Sequence, residues 1–357
     1  MDHLHHLPTE ILLQILQNCP DLSALFSPVN TSRRLSSIFE IHAPAKTFEL
    51  VLEASVPGSV QRLMRMIIRI RAGVFKHHRW EDLSTLRLYY STVGDLLTVP
   101  LLRRFLRLVH RVHVLAHLCL DRCWESLRCR AQSGKDLGAP SWTEEHRTIM
   151  SFWRVQYFYE LKVARLKGRL SKGWETPMLS ILGSASIDGG HFFAGGFQRE
   201  QVLTVVEFIE VIKAKNEICD VGRLPCGSFR LPDPWDRKNA DHSCRCENPS
   251  LGPRARRRLS GKVAWEATAW TYITNHARPP ADEVATYTLQ RLPFQPFRKL
   301  GLFLWDQKRL AELGLWPDPW RRSLDLDEGP RCFPAWLRLP TPDEVTQAGK
   351  NEDDDDW

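Results

Sequence analysis

A length of 357 residues and a mass of 41.3 kDa allow one large or two moderate domains, and 43% hydrophobic with 25% charged residues excludes wholesale disorder. The formal charge of +7 and the pI near 9.0 attract acidic partners only weakly, and without a reader motif they do not make nucleic acid the expected partner. Nine Cys, and a start at Met1-Asp2-His3 without a charged-then-apolar leader, imply reduced thiols in the cytoplasm or nucleus.

In chain order, the opening segment LPTEILLQIL reads as a helix. Pro8 suits its first position, Glu10 its first turn, and Ile11, Leu12, Ile15 and Leu16 make one apolar stripe. Pro20 stops it. Asp21 can cap a second helix carrying Leu22, Leu25 and Phe26, which Pro28 is expected to break. A third, over 29–39, places Val29, Leu35, Ile38 and Phe39 inward and Arg33 and Arg34 outward. Pro44 restarts a helix through Phe48, Val51 and Leu52. From Ser59 the pattern is basic and amphipathic, with Val60, Leu63, Met64 and Ile67 opposite Arg62, Arg65 and Arg69.

Next comes a long helix. Phe105, Val109, Val112, Ala116, Cys119, Cys123 and Leu127 alternate in steps of three and four, and Arg104, Arg107 and Arg111 share the other side. The apolar run 112–120 inside it is interrupted by His113 and His117, and no run reaches the roughly 18 residues of a membrane helix, so no membrane partner is expected. Ser141 and Glu144 form a capping box for a second long helix with Phe152, Val155, Tyr159, Val163, Leu166 and Leu170 in register. The glycines of 183–196 turn the chain, and Val202, Val205, Ile209 and Ile212 mark a third long helix. The stretch 221–262 shows no period and reads as a loop or linker. Shorter helical pieces follow to 340, and the tail 341–357 ends in consecutive Asp and reads as disordered. Strand signals are few, so the fold class is mainly α.

The segments LPTEILLQIL and DLSALFSPVNTSRRLSSIF together resemble the F-box family: a Leu-Pro-x-Glu start, a second apolar helix, and a third with small and basic residues. The stretch EIHAPAKTFEL lacks the Trp that often closes the family's third helix. Together with Pro28 this resembles a divergent F-box-like group of filamentous fungi. The segments 152–165 (FWRVQYFYELKVAR) and 301–315 (GLFLWDQKRLAELGL) look like that group too.

The resemblance implies a small helical bundle over 1–50, and the helical periodicity beyond it marks a larger, irregular helical domain over 51–220. The linker 221–262, a helical region 263–340 and the tail 341–357 complete the chain. It also implies a substrate-receptor adaptor of a Skp–cullin–F-box ubiquitin ligase. Such a protein docks a Skp-type adaptor, reaches a cullin through it, and holds an unknown protein substrate. Carried over by position, Leu7, Pro8, Ile11, Leu12 and Ile15 form the first docking stripe, continued by Leu22, Leu25 and Val29. No repeat of 20 to 50 residues offers the arrays many such adaptors use to hold substrates.

Other chemistry is weakly signalled. With Cys226 upstream, His242, Cys244 and Cys246 could supply four ligands, but a Cys-x-Cys with a His two before it is too tight for the usual zinc knuckle, so no metal is expected. Cys119 and Cys123 share the core period of their helix. The glycines around His191 lack the strand and spacing of a phosphate cradle, and no nucleophile elbow or other catalytic set occurs, so no cofactor and no enzymatic activity are expected. The aromatics of 152–159, Trp305 and Asp306 read as core and helix cap. The run 254–258 reads as a solvated linker, with Ser260 in a form that basophilic kinases accept. Two other readings stay open: a helical interaction scaffold outside ubiquitination, and a nucleic-acid-associated protein using Arg104, Arg107, Arg111 and the 254–258 run.

Overall fold

The computed structural model describes residues 6–42, 44–74, 93–131, 138–170, 196–216, 295–315 and 333–344. The glycine-rich segment up to Gly195, the loop 221–262 with Ser260, and the chain beyond 344 lie outside them. Among the described residues the protein is mainly α and contains no strand. No helix among them is long and apolar enough to cross a membrane. The described residues fall into two units. One takes those of Met1–Leu115 and Phe152–Gly189; the other takes those of Ala116–Ser151, Gly190–Cys219 and Trp265–Trp357.

Unit one opens with α1 (Thr9–Gln17), α2 (Leu22–Thr31) and α3 (Arg33–Ile41). Pro8 stands just ahead of α1 rather than in its first turn, and its carbonyl accepts from the Leu12 N–H. Asp21 caps α2 as its sequence position implies, accepting the Ala24 N–H at 2.7 Å. Pro28 does not break α2, which runs on to Thr31. An interior proline costs a helix about 3 kcal/mol, and the burial of Leu22, Leu25 and Val29 offsets it. The break falls at Ser32, which ends α2 and caps α3 by accepting from the Leu35 N–H. Val29 therefore belongs to α2, not to the third helix.

Two further helices, α4 (Pro44–Ser55) and α5 (Gly58–Ala72), pack in sequence, with a 3₁₀ turn at Gly94–Leu96 against both. The arginine side of α5 is not a solvent face, because Arg65 and Arg69 are buried along with Met64, Ile67 and Ile68. Arg65 is accommodated because Glu49 of α4 accepts from it at 2.9 Å, and the other Glu49 oxygen takes the Val93 N–H at 2.7 Å. Burial, and then Arg65, hold the Arg69 guanidinium below its usual range.

Helix α6 (Val99–Arg130) supplies residues to both units, as does α7 (Trp142–Leu166). All seven apolar positions expected along α6 are buried. In unit one Phe105 meets Phe48 edge-on and stacks on Trp153 of α7. The α7 register differs from its expected line. Tyr159 and Val163 are only half-buried and Leu166 is exposed, because after Val155 the buried face moves to Phe158 and Leu161. The 152–165 segment is nevertheless core, with Phe152, Trp153 and Phe158 at its centre.

Unit two adds α8 (Gly196–Asn216), α9 (Gln295–Lys299), α10 (Gln307–Glu312) and α11 (Phe333–Leu337). Its middle is the stretch Leu300, Leu302, Phe303, Leu304 and Trp305, all buried. Buried backbone outside a helix needs partners, and they come from side chains. Arg147 donates to the Leu304 and Trp305 carbonyls at 3.2 and 2.7 Å, and Gln201 donates to that of Phe303 at 3.0 Å. The Trp305 indole N–H returns to the Leu300 carbonyl at 2.8 Å.

The Ser141–Glu144 capping box forms as expected: one Glu144 oxygen accepts the Ser141 N–H at 2.7 Å, and the Glu144 N–H reaches Ser141 Oγ. The other oxygen accepts the Asp306 N–H at 3.0 Å and Arg309 Nε at 2.8 Å. Asp306 caps α10, accepting the Arg309 N–H at 2.9 Å.

Candidate functional site

Helix α1 divides into two faces. Leu12 and Leu16 are fully buried and turn toward α3 and α4. Arg34 of α3 fixes the entry to the helix by donating to the Leu7 carbonyl at 2.6 Å. The outer face carries Ile11 and Ile15, 41% and 42% exposed, one turn apart and continued backwards by exposed Pro8. At the far end Asn18 Nδ2 donates to the Gln14 carbonyl, closing the last turn.

The eight residues of the expected docking stripe are thus not brought together on one surface. Pro8, Ile11 and Ile15 are exposed and Leu7 is half-buried, whereas Leu12, Leu22, Leu25 and Val29 are buried in the core of unit one. Those four hold α1, α2 and α3 in place and present no surface themselves. Two exposed apolar residues of the same bundle were not singled out from the sequence: Ile41 at the end of α3 and Leu50 of α4. A signal existed for Leu50, which lies off the buried Thr47, Phe48, Val51 and Leu52 stripe of its own helix.

Structure also joins residues far apart in sequence. Ser23 Oγ and His110 Nδ1 share a hydrogen bond of 2.6 Å, and Phe26 stacks on the same imidazole with centroids 4.7 Å apart. Burial, and then His113, hold the His110 pKa below its usual value, with Asp21 opposing them. The Asp21 carboxylate is engaged in capping α2, so this contact reads as a tether between α2 and α6. Ser36 and Glu40 of α3 accept from Arg103 of α6, a second such tether.

No group of three or more His, Cys, Asp or Glu among the described residues is placed to hold a metal ion, and Cys226, His242, Cys244 and Cys246 lie outside those residues. Arg104, Arg107 and Arg111 of α6, grouped by the sequence, do line one cleft of unit one, while the 254–258 run is outside the described residues. No family model, no curated protein and no solved structure matches the chain.

Proposed function

We propose that this protein is a substrate-receptor adaptor of a Skp–cullin–F-box ubiquitin ligase, docking a Skp-type adaptor through the outer face of α1. The observation that carries the reading is the exposed Pro8, Ile11 and Ile15 edge on a helix whose other side is locked into a small bundle. An apolar edge of this kind gains by being covered, and the F-box-like sequence of the same helices supplies the partner. In this reading the chain contributes no catalytic group. It reaches a cullin through the Skp-type adaptor, works in the cytoplasm or nucleus, and holds a protein substrate elsewhere.

Magnitudes limit what α1 can do alone. A fully buried Ile contributes roughly 1.5–3 kcal/mol, so covering the exposed two-fifths of each is worth about 1 kcal/mol. Micromolar affinity requires about 8 kcal/mol. Leu7, Pro8 and Leu50 are therefore expected to share the contact. The test is calorimetry and co-purification of the full chain with a fungal Skp-type adaptor. Ile11→Asp with Ile15→Asp should weaken binding by at least about a hundred-fold, since each carboxylate would be desolvated without a partner. Circular dichroism and melting temperature should stay unchanged, because both positions face outward. Leu166→Asp, on another exposed apolar residue, serves as the control and should bind normally. A wild-type chain that fails to bind at micromolar concentration retires the ligase reading and leaves the helical scaffold.

A further inference from the structure

Unit one carries a cleft of about 620 Å³ whose lining is dominated by cations. Arg104, Arg107 and Arg111 come from α6, Arg71 from the last turn of α5, and Lys167 and Arg169 from the chain just after α7. Glu160 is the sole carboxylate among the lining residues. Its oxygen is already occupied, accepting from Arg71 Nε at 2.8 Å and from Gln156 Nε2 at 2.7 Å. That arrangement fixes the Arg71 guanidinium at the wall of the cleft. Arg104, Arg107 and Lys167 form no ion pair with any described residue, and Arg169 Nε is buried without a hydrogen-bond partner among them.

Like charges gathered this closely oppose folding unless something neutralises them. From Arg104 to Arg107 to Arg111 the helix advances about 10 Å at its usual rise, too far for a single phosphate to meet all three. Guanidinium forks match phosphate oxygens in pairs, and Lys167 adds a point charge. A cleft of this volume is in the range of a small-molecule site, whereas a nucleic-acid strand calls for a basic stripe continuing beyond it. We infer that this cleft binds a small ligand bearing two or more phosphate groups. The inference is independent of adaptor docking, because no residue of α1 lines the cleft.

The experiment uses the full chain with four probes: inorganic tripolyphosphate, ATP, inositol hexakisphosphate and a single-stranded RNA of about 20 nucleotides. Saturable binding of tripolyphosphate is expected, with a raised melting temperature and affinity falling as salt increases. Arg104→Glu with Arg107→Glu, both exposed, should weaken it on the order of a hundred-fold through two lost charge-assisted contacts. Arg128→Glu, exposed and outside the cleft, should not change it. ATP binding well above tripolyphosphate identifies a nucleotide, with Tyr159 of the lining beside the base; inositol hexakisphosphate binding above ATP identifies a phosphorylated polyol. Binding of RNA alone overturns the inference in favour of nucleic acid. No binding by any probe, or binding insensitive to the double substitution, overturns it outright.

Discussion

Replacing Glu144 by Gln tests the reasoning about unit two most directly. The side chain has no exposed surface and serves three donors: the Ser141 N–H, the Asp306 N–H and Arg309 Nε. Burial, and next Asp306, push its carboxyl up, while Arg309 pulls it down. Gln keeps the volume, but only one end of its amide accepts. If the carbonyl stays with Asp306 and Arg309, the amino end faces the Ser141 N–H and the capping-box bond is lost, at about 1 kcal/mol. The Arg309 guanidinium is then buried without its counter-charge. It retains the Ala139 carbonyl at 2.8 Å and the faces of Trp124 and Trp305, 5.1 and 5.3 Å from their ring centroids. Breaking a buried pair from one side costs about 3–5 kcal/mol, and the two ring contacts place this case near the lower figure.

Urea unfolding followed by circular dichroism and Trp fluorescence measures the loss. Arg309→Met on top of Glu144→Gln should recover at least about 1.5 kcal/mol of it, since the two residues touch and their effects are not additive. A loss under about 1 kcal/mol for the single change would refute the account of Glu144 as the post on which the capping box and α10 are hung.

Gly301→Ala should destabilise by about 2–3 kcal/mol in the same assay. Its φ is +66° and a Cβ would lie 2.7 Å from Cys123 Cβ, so strain and overlap add. Gly314→Ala, at φ +70° in open space, should lose only about 1–2 kcal/mol from strain. Acidification should release the Glu344 contact: burial pushes that carboxyl up, but Arg130, the Thr341 N–H and Lys299 bring it to about 2. A depressed folded pKa gives stability that is present above the unfolded value of 4.5 and is lost as pH falls toward 2, which proton titration of Glu344 by NMR reads directly. His110 acts in the same sense at higher pH. Its lowered pKa means that the unfolded chain takes up the proton first, so stability falls as pH drops below the ordinary histidine value of 6.5, and His110→Phe should flatten that part of the profile.

What the sequence determined alone is what depends on local periodicity and local hydrogen bonding. The buried face of α6 follows from steps of three and four, and the caps at Asp21, Ser141 and Asp306 form where short polar side chains precede helices. Trp305 as core also follows from its type. Tertiary structure decided whatever depends on which element lies opposite. Arg65 and Arg69 read as the solvent face of α5, yet they are buried because α4 brings Glu49 to Arg65. The α7 register moves after Val155 because its neighbours cover Phe158 and Leu161 instead of Tyr159 and Val163. In α1 the apolar stripe is continuous in sequence, but α3 and α4 cover only Leu12 and Leu16 and leave Ile11 and Ile15 outside. The basic cleft draws Arg71, Lys167 and Arg169 to the three arginines of α6 across about a hundred residues of chain. Periodicity places a side chain on one face of its own helix; it carries no information about which other helix supplies the charge or the cover for that face.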